Sequence, residues 1–288
     1  MNKLNIVGRI LVLLVILGII SSCNRGSETQ SQTDTTMDFD TAAFLKKLPE
    51  LIEYPLEFDS KSKMVSINDY FSESQAENFN QSDWKALIYD STSQLYSLKS
   101  VLSGENFVAS VDVSEDGKVG YQFVNIAKEK QKTVYLFDNP WLKKELSQVK
   151  NWVNGELWLE GNQTFDFTMG GKNYQLKATD RQLVVDGRQG SYDYRLYLHQ
   201  LQNNEISKTV QLSYIPWFDD GQVRILFIGD LDGDQKPDVI LDNAYKYTES
   251  GISGILFLSS AADGNLVKPI SKEVHGELRG EDMHSEGC

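Results

Sequence analysis

Short apolar runs alternate with polar turns over most of this chain, a pattern typical of β-strands joined by tight connections. Glycine pairs such as Gly170-Gly171 stand between neighbouring runs and accept the positive φ that a tight hairpin requires. The runs that predict strands are 95–101, 107–113, 119–126, 133–137, 155–159, 164–169, 174–178, 182–185, 192–199, 209–215, 223–228, 239–241 and 255–258. We therefore predict a mainly β, antiparallel, meander-like fold with a few short helices. A sandwich, a barrel and a split sheet all remain open from this pattern.

Three segments favour helices. Residues 41–51 and 82–88 carry short helical patterns, and the clearest pattern covers 140–153. In that segment Asn139 is a suitable N-cap and Pro140 suits the first helical position. The apolar stripe of this predicted helix consists of Leu142, Leu146, Val149 and Val153, widened by Trp141 and Trp152.

The N-terminus has the pattern of an export signal. Lys3 and Arg9 precede an apolar run over 10–20, and small residues follow up to Cys23. The run is too short for a membrane-spanning helix, which needs about 20 apolar residues. The small residues that end in Cys23 resemble the lipobox of bacterial lipoproteins. That resemblance implies cleavage before Cys23, acylation of its sulfur and anchoring in the bacterial cell envelope, at the outer membrane or the cell surface. An uncleaved signal anchor or ordinary secretory cleavage is the alternative.

These patterns divide the chain into four parts. We expect a signal peptide at 1–22, a lipidated cysteine and disordered polar tether at 23–39, a β-rich globular region at 40–272, and a polar tail at 273–288. The globular region has a possible break into two subdomains near 139–155.

The charge of the chain limits its partners, and its cysteine content limits the disulfides it can form. The formal net charge is −13, and removing residues 1–22 takes away two cationic residues and no acids, which leaves −15. An acidic chain without basic clusters argues against nucleic acid as a partner. Of the two cysteines, Cys23 is the predicted acylation site, so no disulfide within the chain is expected to hold the fold.

The most informative motif is a short turn between two late apolar runs. Asp230, Asp232 and Asp234 stand at its first, third and fifth positions, and Asp238 stands at the ninth. Alternate positions of a tight turn face inward, so these carboxylates can converge, with the Lys236 carbonyl as a further oxygen. Such a site suits Ca²⁺, which accepts flexible geometry and roughly six to eight oxygen ligands. The alternative is an acidic turn that binds no metal.

Residues 227–242 resemble the FG-GAP and VCBS-type repeats of bacterial surface proteins and integrin-like propellers. The resemblance implies a structural Ca²⁺ site whose ligands are the side chains of Asp230, Asp232, Asp234 and Asp238 and the main chain of Lys236. The chain departs from that family at Gln235, where the family has Gly in a positive-φ conformation; another residue costs about 1 kcal/mol there. It also has no second good copy of the motif, whereas a propeller needs about four blades or more. We therefore expect a single calcium loop within another β fold, and not a full propeller.

The functional interpretation is a lipid-anchored envelope protein that binds a glycan, a peptide or another protein. No catalytic motif supports an enzyme, so a non-enzymatic binding or interaction module is favoured. The alternatives are a glycosidase-like hydrolase of envelope polymers, which needs only two carboxylates, and an accessory subunit of a surface assembly.

Overall fold

The computed structural model describes residues 56–67, 70–80, 83–101, 108–112, 119–123, 129–185, 188–218, 223–242 and 254–275, and all of them belong to one compact unit. The predicted export signal, Cys23, the tether and the predicted helix at 41–51 lie outside these residues. The described part contains sixteen strands and one helix.

Sheet I has five strands in the order β1-β6-β2-β3-β7. Their bounds are Lys63–Ser66 for β1, Gln131–Asp138 for β6, Lys85–Asp90 for β2, Leu95–Ser100 for β3 and Leu146–Val149 for β7. Every pairing in this sheet is antiparallel.

Sheet II also has five strands, in the order β16-β15-β14-β13-β8, and its pairings are antiparallel. Their bounds are Lys268–Lys272 for β16, Gly254–Leu258 for β15, Asp238–Asp242 for β14, Arg224–Gly229 for β13 and Leu157–Trp158 for β8.

Sheet III is an antiparallel four-stranded meander in the order β12-β11-β10-β9, and a separate hairpin pairs β4 with β5. The bounds are Glu205–Phe218 for β12, Arg188–Gln202 for β11, Lys172–Val185 for β10, Thr164–Met169 for β9, Val108–Asp112 for β4 and Val119–Phe123 for β5. The predicted turn at Gly170-Gly171 joins β9 to β10, with φ of 55° and 73° at the two glycines.

Sheet II lies between the other two sheets and is buried on both faces. Its side chains in the core shared with sheet III are Ile225, Ile228, Val239, Leu241, Ile255 and Phe257. Its side chains in the core shared with sheet I are Phe227, Ile240, Leu256, Leu258 and Ile270. The two sets alternate along β14 and β15, as the two-residue period of a strand requires.

The one helix of the described residues, α1 at Glu73–Phe79, covers the other face of sheet I. Its N-terminus is a capping box, in which the Ser72 hydroxyl accepts from the Gln75 amide and the Gln75 side chain accepts from the Ser72 amide. Phe79 and Trp84 pack edge to face in the core beneath it.

The mainly β, antiparallel prediction is confirmed, and no sheet in the described residues closes into a barrel or a propeller. Two helix predictions are wrong. The strand β2 occupies most of 82–88, with Ala86 and Ile88 on the α1 side and Leu87 on the other, which is strand alternation.

The predicted helix at 140–153 is absent because this segment crosses between two cores through a turn, the strand β7 and a bend. Leu142 and Val149 enter the core between sheets I and II, whereas Val153 enters the core between sheets II and III. Their helical spacing therefore does not describe one face. Trp141, expected in the stripe, is 41% exposed. The Trp152 amide donates to the Ile228 carbonyl of β13 at 2.8 Å. In a helix the same amide would donate to a carbonyl four residues earlier in the segment.

Candidate metal centre

The acidic loop joins two neighbouring strands in the middle of sheet II. Strand β13 ends at Gly229 and β14 begins at Asp238, and these two residues are paired across the strands. A side chain at Gly229 would place its Cβ 2.7 Å from the Lys150 carbonyl oxygen. The absence of a side chain there lets the 140–153 segment pack against the start of the loop.

Asp238 is fully buried, and its carboxylate is held from three directions. It accepts from the Leu231 amide at 2.7 Å, from the Ser259 amide at 2.8 Å and from the Ser259 hydroxyl at 3.0 Å. Charge-assisted bonds of this kind offset part of the cost of burying a carboxylate. They also fix the carboxylate at the floor of the loop.

Asp230 organises the turn itself. Its Oδ1 accepts from the amides of Gly233 at 2.7 Å and Asp234 at 3.0 Å, and its Oδ2 accepts from the Gln235 amide at 3.0 Å. Asp232 accepts from the Asp234 amide at 3.1 Å and from the Ser260 amide at 3.3 Å. The loop backbone therefore wraps around its own acids.

Three of the four predicted acidic ligands converge. Asp230, Asp232 and Asp238 each offer a carboxylate oxygen, and these oxygens all lie within 4.8 Å of one another. The fourth, Asp234, accepts from the Lys236 ammonium group at 2.8 Å and from the Ser259 hydroxyl at 3.0 Å. Lys236, predicted as a main-chain ligand, thus also places its own positive charge beside the cluster.

Burial and neighbouring charges shift the pKa values of several acids in this cluster. Burial raises the pKa of Asp238 well above its usual range, and the charge of Asp232 raises it further. Burial also raises the pKa of Asp232, with a contribution from the charge of Asp234. Burial acts in the same direction on Asp234, but hydrogen bonds from Lys236 and Ser259 outweigh it and lower the pKa of that carboxyl. A hard divalent cation would stabilise the ionised forms of Asp232 and Asp238, whose pKa values are raised.

The predicted strain at Gln235 is present. Its φ is 63°, which is the left-handed conformation. FG-GAP and VCBS-type repeats have Gly at the corresponding position. The Gly170 turn of sheet III packs directly against it, because a Cβ at Gly170 would lie 2.3 Å from the Gln235 carbonyl oxygen. The hairpin turn of β9 and β10 therefore supports the loop from outside.

Two residues of the site escaped sequence analysis. Ser259 and Ser260 follow β15 and donate to the acids from 21 to 28 residues along the chain. No local spacing links them to the acidic loop. Their place follows from the pairing of β14 with β15, which brings the end of β15 beside the start of β14.

Within the residues that the structure describes, no helix has the length and apolar character needed to cross a membrane. Comparisons with models of known protein families, with curated proteins and with solved structures found no match.

Proposed function

We propose that this chain is a lipid-anchored cell-envelope protein of the binding type, whose β fold is stabilised by Ca²⁺ held in the 230–238 loop. The observation that carries the metal assignment is the convergence of three carboxylate oxygens within 4.8 Å, one of them from the fully buried Asp238. A carboxylate in that position gains most from a cation, since water cannot screen its neighbours.

The donor set favours Ca²⁺ over a transition metal. All three converging groups are carboxylates, and no imidazole or thiolate joins them among the described residues. Hard oxygen donors in an irregular arrangement suit Ca²⁺ better than Mg²⁺, which demands near-octahedral geometry. The role is structural, because the loop ties β13, β14 and the end of β15 together at the middle of sheet II.

The anchoring part of the proposal rests on the sequence alone. Cys23 after a short apolar run is the proposed site of acylation, and the polar segment 24–39 is the proposed tether. Ligands of an envelope binding protein include glycans, peptides and other proteins, and membrane contact would come from the acyl chains.

Thermal unfolding tests the metal assignment. The full chain in mild detergent would be unfolded in EDTA, in 1 mM Mg²⁺ and in 1 mM Ca²⁺. A dissociation constant of about 0.1 mM, within the range of extracellular modules, corresponds to a gain of about 1.4 kcal/mol in 1 mM Ca²⁺. For a folded region of this size that gain raises the midpoint by about 3–6 °C. Equal midpoints in Ca²⁺ and EDTA would show that the loop is a plain acidic turn.

A further inference from the structure

The opposite end of β13 from the acidic loop carries a second group of polar and aromatic side chains. Trp158, Arg224 and Asp242 lie directly opposite one another on β8, β13 and β14. Residues directly opposite in antiparallel strands point to the same face. Arg224 precedes Gly229 by five residues, so the group lies about 17 Å along the strand from the acidic loop.

Arg224 holds this group together. Its guanidinium donates to Asp242 and contacts Glu156 at 3.4 Å, and it lies over the Trp158 ring with 5.7 Å to the centroid. The Asp242 side chain is 8% exposed, whereas that of Glu156 is 47% exposed. Trp158 is 45% exposed, which is unusual for the largest apolar side chain. A pre-positioned indole therefore stands at the surface beside two carboxylates and a guanidinium.

Tyr135 adds a hydroxyl from sheet I. It lies in the core between sheets I and II, and only 9% of it is exposed. Burial raises the pKa of Tyr135, and the negative charges of Glu273 and Asp242 raise it further. The hydroxyl therefore stays protonated.

We propose that the Arg224 patch, formed by Tyr135, Glu156, Trp158, Arg224, Asp242 and Glu273, is a binding site for a neutral saccharide. This inference deepens the proposed function and rests on it, since it names the ligand class of the envelope binding protein.

The chemistry of the patch matches a sugar ring. The exposed indole of Trp158 offers a flat apolar surface for the C–H face of a pyranose. The exposed carboxylate of Glu156 can accept hydrogen bonds from hydroxyl groups, and the Arg224 guanidinium, which Asp242 holds in place, can donate them. A small number of placed polar groups beside an aromatic surface is the usual composition of a small-ligand site.

The charge of the patch excludes acidic ligands. One guanidinium stands against the carboxylates of Glu156, Asp242 and Glu273, so the formal charge is −2. Uronic acids, sialic acids and phosphates would be repelled. A cationic peptide would satisfy this charge, but one face of Trp158 already lies against a cation, Arg224. Hydroxyl groups that pair with the existing carboxylates need no further positive charge, so a neutral sugar is favoured.

Binding experiments on the full chain in mild detergent test this proposal. The probes are pentasaccharides of glucose, mannose, galactose, xylose and N-acetylglucosamine, with oligogalacturonate as the acidic probe and trilysine as the cationic one. Titration calorimetry and tryptophan emission are the readouts. Trp158→Ala and Glu156→Gln are the test variants, and Trp141→Ala is the matched control because Trp141 is 41% exposed elsewhere on the surface.

The proposal predicts saturable binding of at least one neutral pentasaccharide, weakened about tenfold or more by Trp158→Ala. Glu156→Gln should weaken the same binding, and Trp141→Ala should not. Three results would overturn it: no binding of any neutral probe, binding of a neutral probe that Trp158→Ala leaves unchanged, or binding of trilysine or oligogalacturonate in place of the neutral sugars. Because the acidic loop lies at the other end of β13, Trp158→Ala should leave the Ca²⁺-dependent rise in melting temperature unchanged, which separates this failure from a failure of the calcium proposal.

Discussion

Asp232→Asn should stabilise the protein without calcium and weaken the stabilisation that calcium provides. Asp232 is one of three acids whose carboxylate oxygens lie within 4.8 Å of one another. Its hydrogen bonds come from the amides of Asp234 and Ser260, and the amide oxygen of Asn can keep one of them. The substitution therefore removes a charge at little cost in shape.

The size of the stabilisation in EDTA follows from the distance between the carboxylate oxygens. Two unit charges 4.8 Å apart repel by about 0.9 kcal/mol in water and about 3.5 kcal/mol at an effective dielectric constant of about 20. Asp232 is partly exposed, so we take the lower end, about 1 kcal/mol. In EDTA the variant should then melt about 2–4 °C above the unsubstituted chain.

In calcium the effect is opposite. With a dissociation constant of about 0.1 mM, 5 mM Ca²⁺ stabilises the unsubstituted chain by about 2.3 kcal/mol. A tenfold weaker site gains about 1.1 kcal/mol, so the calcium shift should fall from about 5–9 °C to about 2–4 °C.

The assay is a pair of melting curves, in EDTA and in 5 mM Ca²⁺, for both chains. Asp83→Asn is the control, since Asp83 is an exposed acid outside the loop and should change neither curve. A variant that melts lower in both conditions would show that Asp232 serves the turn rather than a metal. An undiminished calcium shift would place the metal elsewhere.

Four further outcomes are expected. Gly170→Ala should lower the free energy of unfolding, measured by urea titration, by about 1–3 kcal/mol more than Gly171→Ala does. Both glycines have positive φ, but only a Cβ at Gly170 would meet the Gln235 carbonyl oxygen, at 2.3 Å. Equal losses would show that the hairpin turn does not support the loop. Ser259→Ala should cost about 1.5–3 kcal/mol, since its hydroxyl donates to the buried Asp238 carboxylate, whereas Ser93→Ala in an exposed turn should cost little in the same titration. Gln235→Val should lower the melting temperature and Gln235→Gly should not, because φ is 63° there; the reverse order would contradict the backbone conformation. Cys23→Ala should move the chain from the membrane to the soluble fraction on cell fractionation, and retention on the membrane would refute acyl anchoring.

The sequence predicted most strands because their alternation or apolar runs are local properties. The run 164–169 matches β9 residue for residue, and the spacing of the acids in the 230–238 loop predicts that they converge, which three of them do. The capping box of α1 is also a local signal, Ser72 followed three residues later by Gln75, although α1 was not among the predicted helices.

What the sequence could not predict depends on contacts between distant segments. The spacing of Leu142, Val149 and Val153 imitates a helix because these residues serve two different cores. The strands β1 and β16 are too short to show a period. Ser259 joins the acidic loop, and Trp158 joins Arg224, through sheet pairings that no local pattern encodes.

The burial of sheet II on both faces has a consequence for how its strands find their alignment. When one face of a sheet is exposed to solvent, a shift of one residue moves the apolar side chains of a strand to that face. The free-energy cost of exposing them fixes the alignment. The centre of β14, Val239–Leu241, is apolar on both sides, so it gains nothing from this discrimination.

The two ends of β14 fix the alignment that its apolar centre does not. Asp238 pairs with the amides of Leu231 and Ser259, and Asp242 pairs with Arg224. A one-residue slip would carry both carboxylates away from these partners and leave buried charges unpaired, at a cost of several kcal/mol. Asp238 of the acidic loop and Asp242 of the Arg224 patch therefore also specify how the strands in the middle of the protein align.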